Sequence, residues 1–235
     1  NSPTTLNNTD YVWTGGASGD WGNPANWLTY NGASFSNTGS LPSPSNNVYI
    51  RVSGGGVCNS NTPNISTSVA NCKNLNIESG QSLTMSNGQT LNVAGNWSNS
   101  GTFNAGNGTV VFTGAAQSLT GASAFYNVKF SGSGVKTVGS GTWSSSGVAS
   151  SYTTGAEIGN GVTLKIGSGV TWNFDTYGLW GAATGSPKLQ ITGGTVKFLS
   201  DANLRSNTVI DMQLGNLYLR DDCHDCGVLL QSGGS

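Results

Sequence analysis

The stretch that decides the fold is NLNIESGQSLTMSNGQTLNV, residues 74–93. It sets apolar side chains two residues apart and repeats the arrangement every eight residues, as Leu75-x-Ile77, Leu83-x-Met85 and Leu91-x-Val93. Apolar residues that alternate with polar ones indicate short β-strands with one buried face and one solvated face. The glycines and asparagines between these segments suit corners that need a positive φ.

The same alternation returns along most of the chain, and about three segments fit into roughly 22–25 residues. The later segments are Val110/Phe112, Val128/Phe130, Val162/Leu164/Ile166, Val170/Trp172/Phe174, Leu189/Ile191, Val196/Phe198 and Leu217/Leu219. This spacing matches a coil with three short faces per turn. We predict an all-β chain folded as a right-handed parallel β-helix (a β-solenoid) with Gly/Asn-rich corners. A β-sandwich is the alternative, and almost no helix is expected.

Composition limits the classes of partner. The 235 residues are 35% hydrophobic, which is enough for a core, but only 8% are charged, about a third of the usual share. Nine basic and ten acidic side chains give a net charge of −1, so the basic stripe that nucleic-acid binding requires is missing. The sequence also lacks an apolar run of about 18 residues, the length needed to span a membrane. We predict neither a nucleic-acid partner nor a membrane span.

Surface composition points to export. A surface rich in Ser, Thr and Asn with few charges is typical of secreted proteins, and chains near zero net charge associate readily. The sequence begins at Asn1 without a methionine, so we expect a processed export product or a fragment of a larger one.

Changes in composition divide the chain into four segments. Residues 1–10 form a polar, extended leader, and residues 11–52 form a Trp-rich N-terminal cap. Residues 53–220 carry the alternating segments and are predicted to form the β-solenoid. Residues 221–235 form a Cys-containing C-terminal cap or tail.

Four cysteines fall into two local pairs, and in an exported chain we predict the disulfides Cys58–Cys72 and Cys223–Cys226. The second pair has a metal-binding alternative, because Cys223, His224, Asp225 and Cys226 resemble half of a zinc site. A complete structural site needs a second pair of ligands, and the other cysteines are distant in sequence. We therefore predict no metal and no cofactor.

Catalysis is not predicted. Acidic residues before the C-terminal segment are scattered, and only Asp201 and Asp211 lie near a basic residue, Arg205. Carbohydrate-active β-helices need paired carboxylates on neighbouring turns, and a chain with a single histidine is poorly equipped for Ser–His chemistry. Aromatic side chains could instead stack on sugar rings or fill the core. The possible contact aromatics are Trp13, Trp21, Trp27 and Trp180.

One segment resembles a known class of protein. Trp13-Thr14-Gly15-Gly16, followed by Asp20-Trp21-Gly22-Asn23-Pro24-Ala25-Asn26-Trp27, is similar to the opening of large secreted adhesin-like and autotransporter-like surface proteins of Bacteroidetes-type bacteria. The stretches 91–97 and 108–114 fit the repeats of the same proteins. The resemblance covers roughly residues 11–140. It implies a right-handed parallel β-helix, export to the bacterial cell surface, a structural or adhesive role and no catalytic residues.

These observations lead to one hypothesis and one alternative. We expect an extracellular structural or adhesive bacterial surface protein that partners itself or surface glycans. The unpaired strand edges at the ends of a solenoid, together with the leader 1–12, favour head-to-tail assembly into filaments. The alternative is a carbohydrate-active β-helix, either a glycan-binding module or a polysaccharide lyase.

Overall fold

The computed structural model describes residues 6–8, 10–51, 61–67, 69–147, 155–174, 179–181, 185–199 and 208–219, with only the backbone for 179–181. Within these residues the chain forms 23 strands and one 3-10 helix, Pro24–Asn26. The strands in chain order are β1 Asp10–Trp13, β2 Trp27–Tyr30, β3 Phe35–Ser36, β4 Asn47–Ile50, β5 Asn64–Ile65, β6 Val69–Cys72, β7 Leu75–Ile77, β8 Ser82–Met85, β9 Thr90–Val93, β10 Trp97–Asn99, β11 Thr102–Asn104, β12 Thr109–Phe112, β13 Gln117–Thr120, β14 Ala124–Phe125, β15 Asn127–Phe130, β16 Gly134–Val138, β17 Gly141–Ser145, β18 Ala156–Ile158, β19 Val162–Gly167, β20 Val170–Phe174, β21 Leu179–Gly181, β22 Lys188–Phe198 and β23 Val209–Leu219.

From β4 onward every third strand stacks on the same face of a coil of about six turns. Face A contains β4, β7, β10, β13, β16 and β19. Face B contains β5, β8 and β11, and then β14, β17 and β20. Face C contains β6, β9, β12, β15, β18 and β21. Strands on faces A and C pair in parallel with the strand one turn away, for example Leu91 with Val110 and Val110 with Val128 on face C. On face B the pairing runs through β5, β8 and β11, is interrupted between β11 and β14, and resumes through β14, β17 and β20.

The parallel β-solenoid predicted from the sequence is therefore confirmed. The β-sandwich alternative is wrong, because each turn hydrogen-bonds to the next through parallel strands rather than through antiparallel hairpins. The antiparallel pairs of the described chain are β1 with β2 and β2 with β3, which form a hairpin at the N-terminal end of face A.

Inward side chains line up in register from turn to turn and form the core. One row on face A runs through Tyr11, Val48, Leu75, Trp97, Leu119, Val138, Ile166, Ile191 and Met212. All of these except Met212 are buried. Alternation with period two places the polar residue between two core residues on the outer surface. The polar residues of the repeat thus cover the coil, and its apolar residues fill it.

Strands β22 and β23 differ from the others because each runs across two faces. The first part of β22 pairs with β19 on face A, and its last part pairs with β20 on face B. The backbone turns the corner at Gly193 and Gly194, and β23 follows with Gly215 beside Gly194. Gly193 and Gly215 adopt φ values of 117° and 121°, which residues other than glycine rarely adopt. Each strand therefore remains continuous where earlier turns are interrupted.

Candidate functional site

Backbone pairing covers the N-terminal end of the coil on faces A and B. β1 hydrogen-bonds to β4 along one edge and to β2 along the other. On face B, Asn64 bridges to Asp20, and its backbone also exchanges hydrogen bonds with Gly19 and Trp21 at 2.7 and 2.9 Å. These pairings leave face A with the two-residue strand β3 as its outermost strand.

Three tryptophans fill the space under this end. Trp27 packs edge-on against Trp13 and Trp21, with ring centres 4.9 and 4.6 Å away. All three rings are at most 1% exposed. Trp13 Nε1 donates to Asn61 O at 2.7 Å, and Trp27 Nε1 donates to Trp21 O at 2.9 Å. These three predicted contact aromatics therefore lie in the core and offer no ring face to a sugar. Trp180 lies in β21, and its side chain is outside the described part of the structure.

The C-terminal end of the coil is open in the described chain. Among the described residues, β23 pairs with β22 alone, so its second edge carries eleven residues of backbone without a neighbouring strand. Its inward residues continue the core rows of β22. Ile210 follows Leu189, Met212 follows Ile191, Leu217 follows Val196 and Leu219 follows Phe198.

Because no described turn lies above β23, the core rows reach solvent there. Met212 is 48% exposed and Leu219 is 41% exposed, although their counterparts one turn below are buried. At the corner Leu214 is 71% exposed, and Tyr218 on the outer surface is 54% exposed. We call the residues of β23 and their outer edge the open end. Exposed apolar side chains beside an unpaired strand edge form a ready surface for another chain.

Charged groups flank the open end. Asp211 accepts hydrogen bonds from Gln190 at 2.9 Å and from Gln213 at 3.3 Å, and Lys188 Nζ lies 3.7 Å from its carboxylate. These contacts, the Gln190 bond first among them, lower the pKa of Asp211, so this carboxylate is ionised at neutral pH. Lys197 Nζ lies 5.8 Å from the centre of the Tyr218 ring.

A buried lysine lies inside the corner between faces C and A. Lys136 is fully buried, and its Nζ donates to Gln117 Oε1 at 2.8 Å, to Ala115 O at 3.2 Å and to Gly114 O. Gln117 Nε2 donates in turn to Val93 O at 2.9 Å and to Gly95 O. Burial lowers the pKa of Lys136 to about 8. All three ammonium hydrogens have an oxygen partner, which indicates a structural role for this group rather than a reactive one.

The outer surface of face A carries a ladder of polar side chains. Asn47 Nδ2 donates to Asp10 Oδ1 at 2.7 Å, and Asn74 Nδ2 donates to Asn47 Oδ1 at 2.7 Å. Asn74 Oδ1 accepts from the Asn96 amide at 2.6 Å, and Asn96 Oδ1 accepts from the Ser118 amide at 2.9 Å. This ladder connects successive turns, and beyond the Asp10 carboxylate all of its groups are neutral side-chain amides and backbone N–H groups.

Most residues of the cysteine predictions lie outside the described chain: Cys58, Cys223, His224, Asp225 and Cys226. Cys72 is described and lies on face C, fully buried, with Sγ 3.8 Å from Asn92 O. Burial raises the pKa of its thiol. Across the residues that the structure describes, no three His, Cys, Asp or Glu side chains come close enough to hold a metal ion. The two disulfides stay predictions.

Comparison with known proteins adds no family to this description. No protein-family model, no curated protein and no solved structure matches the chain. The described part of the chain also contains no helix with the length and hydropathy needed to cross a membrane. The open end is therefore interpreted from its own geometry.

Proposed function

We propose that this chain is an extracellular structural module of a bacterial cell surface, with an adhesive role, that associates with further copies through the open end. The observation that carries the proposal is the second edge of β23, an eleven-residue strand with exposed Met212, Leu214 and Leu219 beside it. Unpaired strands of this length are normally shortened, charged or covered in proteins that remain monomeric. Here only Asp211 on β23 carries a charge.

The body of the coil supports a structural role in a different way. About six turns are fixed by parallel pairing and by continuous core rows, and repeats that contact only their neighbours produce stiff, elongated shapes. Head-to-tail filaments, as expected from the sequence, are one form that association through an end can take. Export and display on the cell surface belong to the proposal through composition and through the resemblance of residues 11–140.

Sedimentation velocity of the purified 235-residue chain tests the proposal. We expect the average mass to rise with concentration, because the open end becomes buried between copies. The double variant Met212→Lys/Leu217→Lys should retain the mass of one chain at every concentration. Val135→Lys is the matched control, since Val135 is also exposed, at 41%, but lies in the middle of face A. A wild-type chain that stays monomeric over the whole range contradicts association.

Two further measurements address location and the alternative function. Antibody labelling of intact cells of the source organism should detect the chain at the surface. Incubation with a panel of polysaccharides separates the structural role from the carbohydrate-active alternative, because a lyase releases unsaturated sugars and a glycan-binding module is retained on a polysaccharide matrix. A structural module leaves the polysaccharides unchanged.

A further inference from the structure

We infer that two copies of this chain join tail to tail, with their β23 strands paired antiparallel about a two-fold axis at the Leu214–Gly215 corner. This inference rests on the proposed function, because it names the partner of the open end as a second open end. It also fixes the symmetry of the contact and the residues that face each other.

On faces A and B, the two faces that β23 spans, the N-terminal end cannot receive β23 without losing its own pairing. The outer edge of β1 is bonded to β2, and the outermost strand of face A is β3, only two residues long. On face B the first strand, β5, is also two residues long, and Asn64 is bonded on both sides. A head-to-tail contact would thus bring an eleven-residue edge against two short strands, and most of the backbone groups of β23 would stay unpaired.

A second open end does provide an edge of equal length. A two-fold axis through the corner exchanges the face A half of β23 with its face B half. Ile210 then lies opposite Leu219 of the second copy, and Met212 lies opposite Leu217. Residues directly opposite each other in an antiparallel pair point to the same side of the sheet. Both pairs join inward residues to inward residues, so the exposed core rows of the two copies become continuous.

The corner makes this symmetry feasible. β23 bends at Gly215, and roughly equal stretches of strand, 209–212 and 216–219, lie on either side of the bend. Because the axis passes through the bend, the face A half of β23 in one copy pairs with the face B half of β23 in the other copy. A strand confined to one face would allow pairing along that face only. A strand that crosses the corner allows pairing over two faces at once.

Charge on the outer surface agrees with the same register. Asp211 lies opposite Tyr218 of the second copy, and the Lys197 ammonium lies 5.8 Å from the Tyr218 ring within one chain. Each carboxylate therefore approaches a lysine of the other copy, and the symmetry repeats the contact twice. A contact about a two-fold axis uses the same surface on both chains and closes at the dimer, whereas a head-to-tail contact continues into a fibre.

Stoichiometry is the first test, and multi-angle light scattering with negative-stain microscopy measures it. We expect the mass to reach a plateau at two chains, with rods joined end to end in pairs, and Met212→Lys/Leu217→Lys to remain single. Growth beyond two chains into fibres, abolished by the same variant, would uphold self-association and overturn the two-fold arrangement. Single chains at every concentration would overturn both. Single chains at every concentration are also the expected result if a further turn of the same chain covers β23.

Register is the second test. Asp211→Cys and Tyr218→Cys are purified separately, mixed and oxidised, and peptide mass mapping identifies the disulfides formed. Opposed residues of an antiparallel pair lie about 4.5–5.5 Å apart at Cα, which is within disulfide range. We expect a 211–218 bond between chains in the mixture. Mixing Tyr218→Cys with Lys129→Cys, which lies on face C in mid-coil, is the control. A 211–211 bond formed by Asp211→Cys alone would overturn this register.

Discussion

Lys136 Nζ lies 2.8 Å from Gln117 Oε1, and this bond connects two successive turns inside the coil. Gln117 extends the connection to a third turn through Val93 O. The described partners of the ammonium are neutral oxygens, namely two backbone carbonyls and one amide. An ammonium held by neutral groups retains part of its desolvation cost, and that cost lowers its pKa.

Replacement of this lysine should destabilise the coil. In Lys136→Met the buried Gln117 Oε1 and the carbonyls of Gly114 and Ala115 lose the ammonium as a donor. Hydrogen bonds to a charged group contribute about 1.5–3 kcal/mol, so we expect the free energy of unfolding to fall by about that amount. Urea denaturation measures it. Lys129→Met, which removes a half-exposed lysine on the neighbouring face, is the control and should change stability by less than about 0.5 kcal/mol.

The same lysine predicts a pH dependence. Its pKa is about 8 in the folded chain, below the ordinary value of 10.5. Between these values the unfolded chain binds the proton more tightly, so the free energy of unfolding should rise with pH. We expect wild type to gain about 1–3 kcal/mol relative to Lys136→Met between pH 7 and pH 10. A difference between the two proteins that stays constant or shrinks over this range contradicts the lowered pKa.

The asparagine ladder should stabilise the turns that it connects. Asn74→Ala removes the donor to Asn47 Oδ1 and the acceptor of the Asn96 amide. We expect the free energy of unfolding to fall by about 1–2 kcal/mol. For a chain of this size that loss lowers the melting temperature by roughly 2–8 °C. Asn76→Ala is the control, because Asn76 lies two residues further along the chain, in β7, and is also partly buried. Equal shifts in the two variants would mean that the ladder adds no stability.

Close packing of the turns should make one glycine far less replaceable than another. Gly121 and Gly80 have φ values of 75° and 77°. A Cβ at Gly121 would lie 1.6 Å from Asn99 O, whereas a Cβ at Gly80 would meet nothing within 4 Å. We expect Gly80→Ala to cost about 1–2 kcal/mol from backbone strain alone. Gly121→Ala should cost about 1–3 kcal/mol more, because the adjacent turn must move. Denaturation midpoints compare the two.

Alkylation of Cys72 tests its burial and its predicted partner. Since Cys72 is fully buried and its thiol pKa is raised, we expect no labelling of the native chain by iodoacetamide. Labelling in denaturant without reductant would identify a thiol. Protection that persists until reductant is added would identify the Cys58–Cys72 disulfide predicted from the sequence. Rapid labelling of Cys72 in the native chain would contradict its burial.

The sequence predicted most of the coil because the alternation and the corners agree along most of its length. Leu75, Ile77, Leu83 and Leu91 are all buried as the period of two requires. The pattern misleads in β16, where Gly134-Val135-Lys136-Thr137-Val138 turns Val135 outward and Lys136 inward. Only the acceptors on the preceding turn make that orientation favourable, and they come from residues distant in sequence.

The ends were harder to predict than the body. Alternation separates Leu189/Ile191 from Val196/Phe198 but does not show that one strand joins them across Gly193 and Gly194. Tryptophans of the cap could equally have been exposed binding residues, because composition does not distinguish a ring in the core from a ring on the surface. The sequence indicated that open edges were a risk. The exposed core row of β23 became visible only once the register of each turn was known.

The unequal ends give the coil a mechanical direction. β1 is held along both edges, whereas β23 is held by β22 alone in the described chain. Under tension a coil with these ends peels from its C-terminal turn, and each departing turn uncovers another strand held along one edge. The hairpin and its three tryptophans are the last to separate. Pulling on this protein should therefore release chain in steps of about one turn, starting from the C-terminal end.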